Sequence, residues 1–215
     1  MSVHFSARKV SVSAATVSAA TIAFVFWGLL GVATPVAAQV QTAVEYGFRS
    51  VWDYGYGSYF VTSFPDEIAA LDGGAFDTAS GLLWERTGET FNVWTGPASG
   101  ALPTCRFFNA TSYVEHFYTP YAAECAAVQA NADWHWQYEG IAFYLQVPDG
   151  NGNCPIGTTI LYRLYNNGMG GTPAHRLTTS EATFNQMLAD GWVFEGDSRT
   201  FAFACVPSST APSTF

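Results

Sequence analysis

Within the ten positions from 116 to 125 stand His116, Tyr118, Thr119, Glu124 and Cys125. A Cys/His pair suits a thiol hydrolase, because the imidazole can take the proton of the nucleophilic sulfur. A His/Glu pair suits a metal site or general acid–base work. Two more carboxylates, Glu139 and Glu195, each precede the glycine of a W-x-x-E-G sequence. A glycosidase would need such a pair within about 5–9.5 Å. What decides among these chemistries is that the same residue types recur at matching intervals.

"HFYT" ends at Thr119, "YFVT" at Thr62 and "HRLT" at Thr178, so the threonines are 57 and 59 residues apart. Six residues after each lie Ile68, Cys125 and Phe184; nine after lie Leu71, Val128 and Met187. Apolar side chains three apart form one face of a short helix. Five residues after each threonine lie Glu67, Glu124 and Thr183. "WERTG", "WQYEG" and "WVFEG" follow the three helices, and each is followed by an aromatic-bearing strand, Phe91–Trp94, Ile141–Leu145 and Phe201–Cys205. Each unit opens on an aromatic segment, at "VEYGF", "CRFF" and "LYRLY". The pattern predicts a mainly β fold with short helices, made of three ββαββ repeats over about 44–97, 103–148 and 158–207. A repeat this small cannot bury its apolar face alone, so the copies should pack about one aromatic core. Twelve strands in a pseudo-threefold body suggest a β-trefoil-like arrangement, with a compact propeller-like one as the alternative.

Repetition changes the meaning of the reactive residues. His116 shares its slot with His175 and with Tyr59. A catalytic group has no reason to recur around a pseudo-symmetric body, whereas a packing residue or a ligand contact does. Tyr59, His116, His175, Glu139 and Glu195 are therefore the candidate ligand-binding residues, and none is assigned as catalytic. Cys125 takes a core-facing slot, unlike an exposed thiolate nucleophile. An Arg–Glu pair across strands is expected in every copy: Arg106 with Glu139, Arg163 with Glu195, and, with signs exchanged, Glu45 with Arg86.

The bulk properties set the compartment. Arg8 and Lys9, an apolar run strongest over Thr21–Val32, and the small residues Val36 and Ala38 form the pattern of a secretory signal over residues 1–38. The apolar core falls short of the ~20 residues of a membrane span. The chain after cleavage has 177 of the 215 residues, with six arginines against 17 acidic residues and no lysine. That charge repels phosphate backbones and argues against a nucleic-acid partner. Residues 39–207 are expected as a single three-repeat domain, monomeric, secreted or periplasmic, with 208–215 a flexible tail. Four cysteines allow three pairings; pairing within copies favours Cys105–Cys125 and Cys154–Cys205. No metal or cofactor motif is present: Asp149, Asn151 and Asn153 offer oxygens in a Gly-rich turn, but no glutamate closes a calcium loop. Asn109-Ala110-Thr111 matches a glycosylation sequon.

The strings "CRFF…HFYT…EC…W…YEGIAFYL" and "YRLYNN…HRLTT…GW…EG…AFAC" together resemble a family of secreted bacterial repeat domains of unknown function. The likeness runs from about Glu45 to Pro207, with the first copy departing most. It implies an exported stand-alone protein or accessory module near polymers or cell surfaces, and carries over no catalytic residue. Tyr54, Tyr56, Trp94, Tyr113 and Tyr121 could stack on sugar rings, with Asn and Asp supplying hydrogen bonds. The expected function is non-catalytic binding of carbohydrate or a cell-surface ligand. The alternative is a structural or protein-interaction module of the envelope.

Overall fold

The computed structural model describes residues 38–50, 56–78, 81–109, 114–169 and 173–208. The β-branched and aromatic runs form antiparallel strands, and a strand–strand–helix–strand order occurs three times. The first segment holds β1 (Val40–Ser50), β2 (Ser58–Thr62), α1 (Pro65–Asp72) and β3 (Leu82–Trp94). The second holds β4 (Ala101–Asn109), β5 (Glu115–Thr119), α2 (Ala122–Ala130) and β6 (Gln137–Gln146). The third holds β7 (Thr158–Tyr165), β8 (His175–Thr178), α3 (Glu181–Ala189), β9 (Val193–Phe194) and β10 (Ala204–Pro207).

The opening strand of each segment lies in the middle of its own sheet. β1 pairs with β2 and β3, β4 with β5 and β6, and β7 with β8, β9 and β10. The closing strands join the segments, with Trp94 opposite Tyr144 and Gln146 opposite Cys205. β2, β5 and β8 also touch one another, and these contacts position the sites described below.

The expected ββαββ repeat is corrected. In the first two segments one long strand replaces the two expected after the helix, and the described residues hold ten strands rather than twelve. The W-x-x-x-G glycine does not end a strand there. Gly88 and Gly140 take φ of +92° and +109° inside β3 and β6, a conformation glycine adopts without steric cost. Opposite Gly140 the β4–β6 register shifts on both sides of Arg106, so the chain bulges and Glu139 turns toward that arginine. Gly196 does different work: a Cβ there would lie 2.6 Å from the Phe201 carbonyl oxygen.

Each helix starts in the same way. The hydroxyls of Thr62, Thr119 and Thr178 accept from the amides of Phe64, Tyr121 and Ser180, each at 3.0 Å, turning the strand into the helix. The inward slots are Leu71, Cys125 with Val128, and Phe184 with Met187; Ile68 is only partly buried. The main core gathers Tyr46, Phe60, Trp84, Phe143, Leu161 and Phe203 from all three segments. The disulfides are Cys105–Cys125 and Cys154–Cys205, as the within-segment pairing anticipates. Asp149 is a turn residue, accepting from the amides of Asn151 and Asn153 at 2.8 and 2.9 Å. Among the described residues no helix is long and apolar enough to cross a membrane. The expected signal segment up to residue 37, the tail from 209, Tyr54, Tyr113 and the sequon's Ala110 and Thr111 lie outside the described residues.

Candidate functional site

The charged side chains gather where one segment meets the next. Arg106 of β4 holds Glu67 of α1 bidentately, at 2.9 and 2.8 Å, and its Nε lies 2.9 Å from Glu139. Arg163 of β7 repeats the arrangement one segment later. It holds Glu124 of α2 at 2.8 and 2.9 Å, and its Nε is 2.9 Å from Glu195, in an ion pair rather than an aligned hydrogen bond. A planar guanidinium meets a carboxylate with two parallel N–H···O bonds, which fixes orientation as well as charge. Burial, the largest single influence, pulls Glu67 and Glu124 upward, but the hydrogen bonds and charge of each arginine together with the hydroxyls of Thr62 and Thr119 outweigh it and hold both below the ordinary carboxylate value. Burial raises the Glu139 carboxyl, with Arg106 opposing it.

The junction of the third and first segments is built differently. Glu45 of β1 is fully buried and takes both nitrogens of Arg176 from β8, at 3.0 and 2.8 Å, with Thr87 donating at 2.6 Å. Desolvation raises the Glu45 carboxyl despite Arg176. The expected Glu45–Arg86 pair is therefore corrected. Arg86 stands opposite Tyr46 in the β1–β3 register, and neighbouring residues of a strand point to opposite faces. Tyr46 and Arg86 share Asp72 instead, at 2.8 Å and at 2.7 and 2.6 Å.

The slot shared by Tyr59, His116 and His175 links the second strands. His116 packs on Phe60 at 4.4 Å and Phe108 at 4.8 Å. His175 packs on Phe117 and Tyr165, at 5.0 and 4.8 Å. Arg176 lies 4.4 Å above the ring of Tyr59. His175 stands between two carboxylates, with Nδ1 2.5 Å from Glu115 and Nε2 3.5 Å from Glu195. His116 has only one, with Nε2 3.7 Å from Glu139, and its buried Nδ1 has no hydrogen-bond partner. Burial, followed by the charge of Arg106, lowers His116 to about 3, so the ring is neutral at physiological pH.

Two of the three junctions open into clefts. Between the first and second segments a partly enclosed cleft of about 450 Å³ is walled by Phe48, Phe60, Phe76, Trp84 and Phe108. Its polar end is Glu67, Glu139, Arg106 and His116. Between the third and first segments a more open cleft of about 560 Å³ has Tyr56, Tyr59 and Trp192 beside Arg176, Gln186 and Asp190. Thus His116 and Glu139 share one cleft and Tyr59 lines the other, while His175 and Glu195 meet at the junction of the second and third segments. Glu67, Glu124, Arg176 and Glu115 are the partners missed by pairing within repeats. The offset of five that equates Glu67 with Glu124 was the available signal. Among the expected sugar-stacking rings, Tyr56 lines the open cleft, while Tyr121 is exposed and donates to the Phe203 carbonyl at 2.6 Å.

A family described as a domain of unknown function (DUF5648) matches residues 72–200, which is 129 of the chain's 215 residues. The matched span contains Arg106, Arg163, Glu124, Glu139, Glu195 and both slot histidines, and excludes β1 and β2. No curated protein and no solved structure matches the chain.

Proposed function

The chain belongs to the DUF5648 family of domains of unknown function, and from that premise we propose that it is a non-catalytic binding module holding carbohydrate in the open cleft. The observation that carries this reading is the grouping of partly exposed Tyr56 and Trp192 with Gln186 and Asp190. Aromatic faces accept the apolar face of a sugar ring, and a few fixed polar groups orient its hydroxyls. Gln186 Nε2 donates to Asp190 Oδ1 at 3.0 Å. That bond holds the two side chains together, and the amide and carboxylate oxygens can accept from a sugar's hydroxyl groups.

Two features speak against a glycosidase. Glu139 and Glu195 stand at different junctions, each bound to its own arginine, so they do not flank one bond. The same repetition supports three related copies about a pseudo-threefold axis in a trefoil-like packing. The threonine caps, the Arg106 and Arg163 clamps and the mutual contacts of β2, β5 and β8 all follow that pattern. Two disulfides suit an oxidising compartment, and hence action outside the cytoplasm. Titration of the purified protein against oligosaccharides and peptidoglycan fragments tests the reading. Binding is expected, with at least tenfold loss in Trp192→Ala. Silence across the panel, or undiminished binding by Trp192→Ala, would overturn it.

A further inference from the structure

We infer that the enclosed cleft between the first and second segments is a second ligand site, for an organic ammonium ion carrying an apolar or aromatic body. The inference does not depend on the carbohydrate reading, because it rests on a different cleft with different walls.

Size and lining come first. A volume of about 450 Å³ falls within the usual ~300–1,000 Å³ of small-molecule sites. Its walls are aromatic, from Phe48, Phe60, Phe76, Trp84 and Phe108. Phe76, at the rim, is 58% exposed. An unfilled ring surface of this kind has two natural occupants: an apolar group, or a cation drawn to the negative faces of the rings.

Charge at the polar end chooses between them. Two carboxylates, Glu67 and Glu139, share one guanidinium, so the group carries a net negative charge. Exposure sharpens the point. The Arg106 side chain is only 10% exposed, while Glu67 and Glu139 are 32% and 30% exposed. The guanidinium lies behind, with its Nε and both terminal nitrogens turned to carboxylates. The carboxylates are therefore the more accessible part of the group, and their oxygens accept hydrogen bonds and do not donate them. His116 adds no positive charge, since its ring is neutral. A carboxylate ligand would meet repulsion, and a neutral hydroxyl would leave the negative charge unanswered. A primary ammonium brings both the charge and the donors.

The neighbouring junction shows how the protein answers a matching histidine itself. There Glu115 of β5 reaches the Nδ1 of His175. The residue at the matching place on β2 is Ser58, one position before Tyr59 as Glu115 is one before His116. No carboxylate of β2 reaches His116, whose buried Nδ1 has no hydrogen-bond partner among the described residues.

Calorimetric titration of the full disulfide-bonded chain with three near-isosteres tests this: benzylammonium, benzyl alcohol and benzoate. Benzylammonium is expected to bind at least tenfold more tightly than benzyl alcohol, and benzoate not to bind. Glu139→Gln should erase the preference for the ammonium ion while circular dichroism remains native. Phe76→Ala, which removes an exposed rim ring and leaves the charges in place, should weaken benzylammonium several-fold, and it stands as the test if Glu139→Gln does not fold. Equal binding of the alcohol and the ammonium, binding of benzoate, no binding of any probe, or wild-type binding by either folded variant would overturn the assignment.

Discussion

Arg106 and Arg163 occupy matching strands and hold matching carboxylates, equally exposed at both junctions, yet the groups behind the two guanidiniums differ. Arg163 donates to the Tyr118 carbonyl at 3.1 Å as well as to Glu124, and lies over Phe203 and Phe117 at 4.1 and 4.8 Å. Arg106 lies over Phe60 and the half-exposed Phe64 at 5.2 and 5.7 Å, with the cleft on its open side. The same clamp thus rests on two close rings and a carbonyl at one junction and on more distant rings beside an aromatic cleft at the other. The neighbours differ as well. Glu115 reaches the Nδ1 of His175, whereas Ser58 stands at the matching place on β2 and the buried Nδ1 of His116 has no hydrogen-bond partner among the described residues.

The largest effect expected from this contrast is on stability. Arg163→Ala would leave Glu124, Glu195 and the Tyr118 carbonyl without their cation and uncover the faces of Phe203 and Phe117, at a cost of about 2–4 kcal/mol once the partial exposure of both carboxylates is discounted. Arg106→Ala removes matching ion pairs but more distant ring contacts, so the loss should be smaller, about 1–3 kcal/mol. Denaturant unfolding of both variants measures the order, and equal losses would remove the distinction between the two clamps.

Next in size is the bridge that couples the two junctions. Cys105 directly precedes Arg106, and Cys125 directly follows Glu124, so their disulfide ties one clamp's arginine to the other clamp's carboxylate. Replacing both cysteines by serine should cost about 3 kcal/mol by the loop-closure account. It should also loosen both junctions, read as faster amide exchange in β4 and β7. Faster exchange at only one of them would show that the bridge serves a single clamp.

Acid should act through His116. Its folded-state value of about 3 lies below the ordinary value of 6.5, so the unfolded chain holds the extra proton between them. The stability it confers is present above about pH 6.5 and is lost as the pH falls toward 3. From pH 7 to pH 4.5 that is roughly 2–3 kcal/mol. Arg106, Glu67 and Glu139 are the charged groups around the same cleft. The lowered Glu67 and Glu124 lose their contribution only at lower pH, below the ordinary carboxylate value of 4.5. His116→Tyr, the residue of the matching slot in the first segment, should flatten the pH 4.5–7 slope. An unchanged slope would place the acid-sensitive group elsewhere.

These contrasts also explain what could be read from the sequence. Arg106–Glu139 and Arg163–Glu195 were legible because each lies within one segment at a nearly repeated offset, and the disulfides because Cys105 and Cys125 share one copy while Cys154 and Cys205 bracket another. The bidentate partners Glu67 and Glu124 were equated as a position but not as partners, because each reaches forward into the next segment. Nothing in a one-dimensional repeat says which face of copy n meets copy n + 1. Glu45 failed for a simpler reason. Beside Arg86 it is on the wrong face of β1, so its partner comes from β8, 131 residues away. The strand count failed because Gly88 and Gly140, which look like strand breakers, sit within continuous strands at left-handed bulges. The clefts were not legible at all, since each is lined from two segments whose facing the repeat does not specify. Ser58, where β5 carries Glu115, is a sequence difference at the His116 junction that a repeat alignment exposes.

That substitution is the smallest change and the most direct test of the comparison. Ser58→Glu would place a carboxylate on β2 where β5 carries Glu115, on the strand that packs Phe60 against His116. Ser58 is 2% exposed, so the added chain must use the space beside the imidazole or disturb the strand. Where it reaches Nδ1, an anion beside the ring favours the imidazolium and opposes the desolvation that now lowers it. The NMR titration of His116 should then move upward from about 3, with global stability changed by less than about 1 kcal/mol as desolvation of the new carboxylate offsets the pairing. An unmoved His116 titration in a folded variant would mean that backbone placement, and not the missing carboxylate, separates the two histidines.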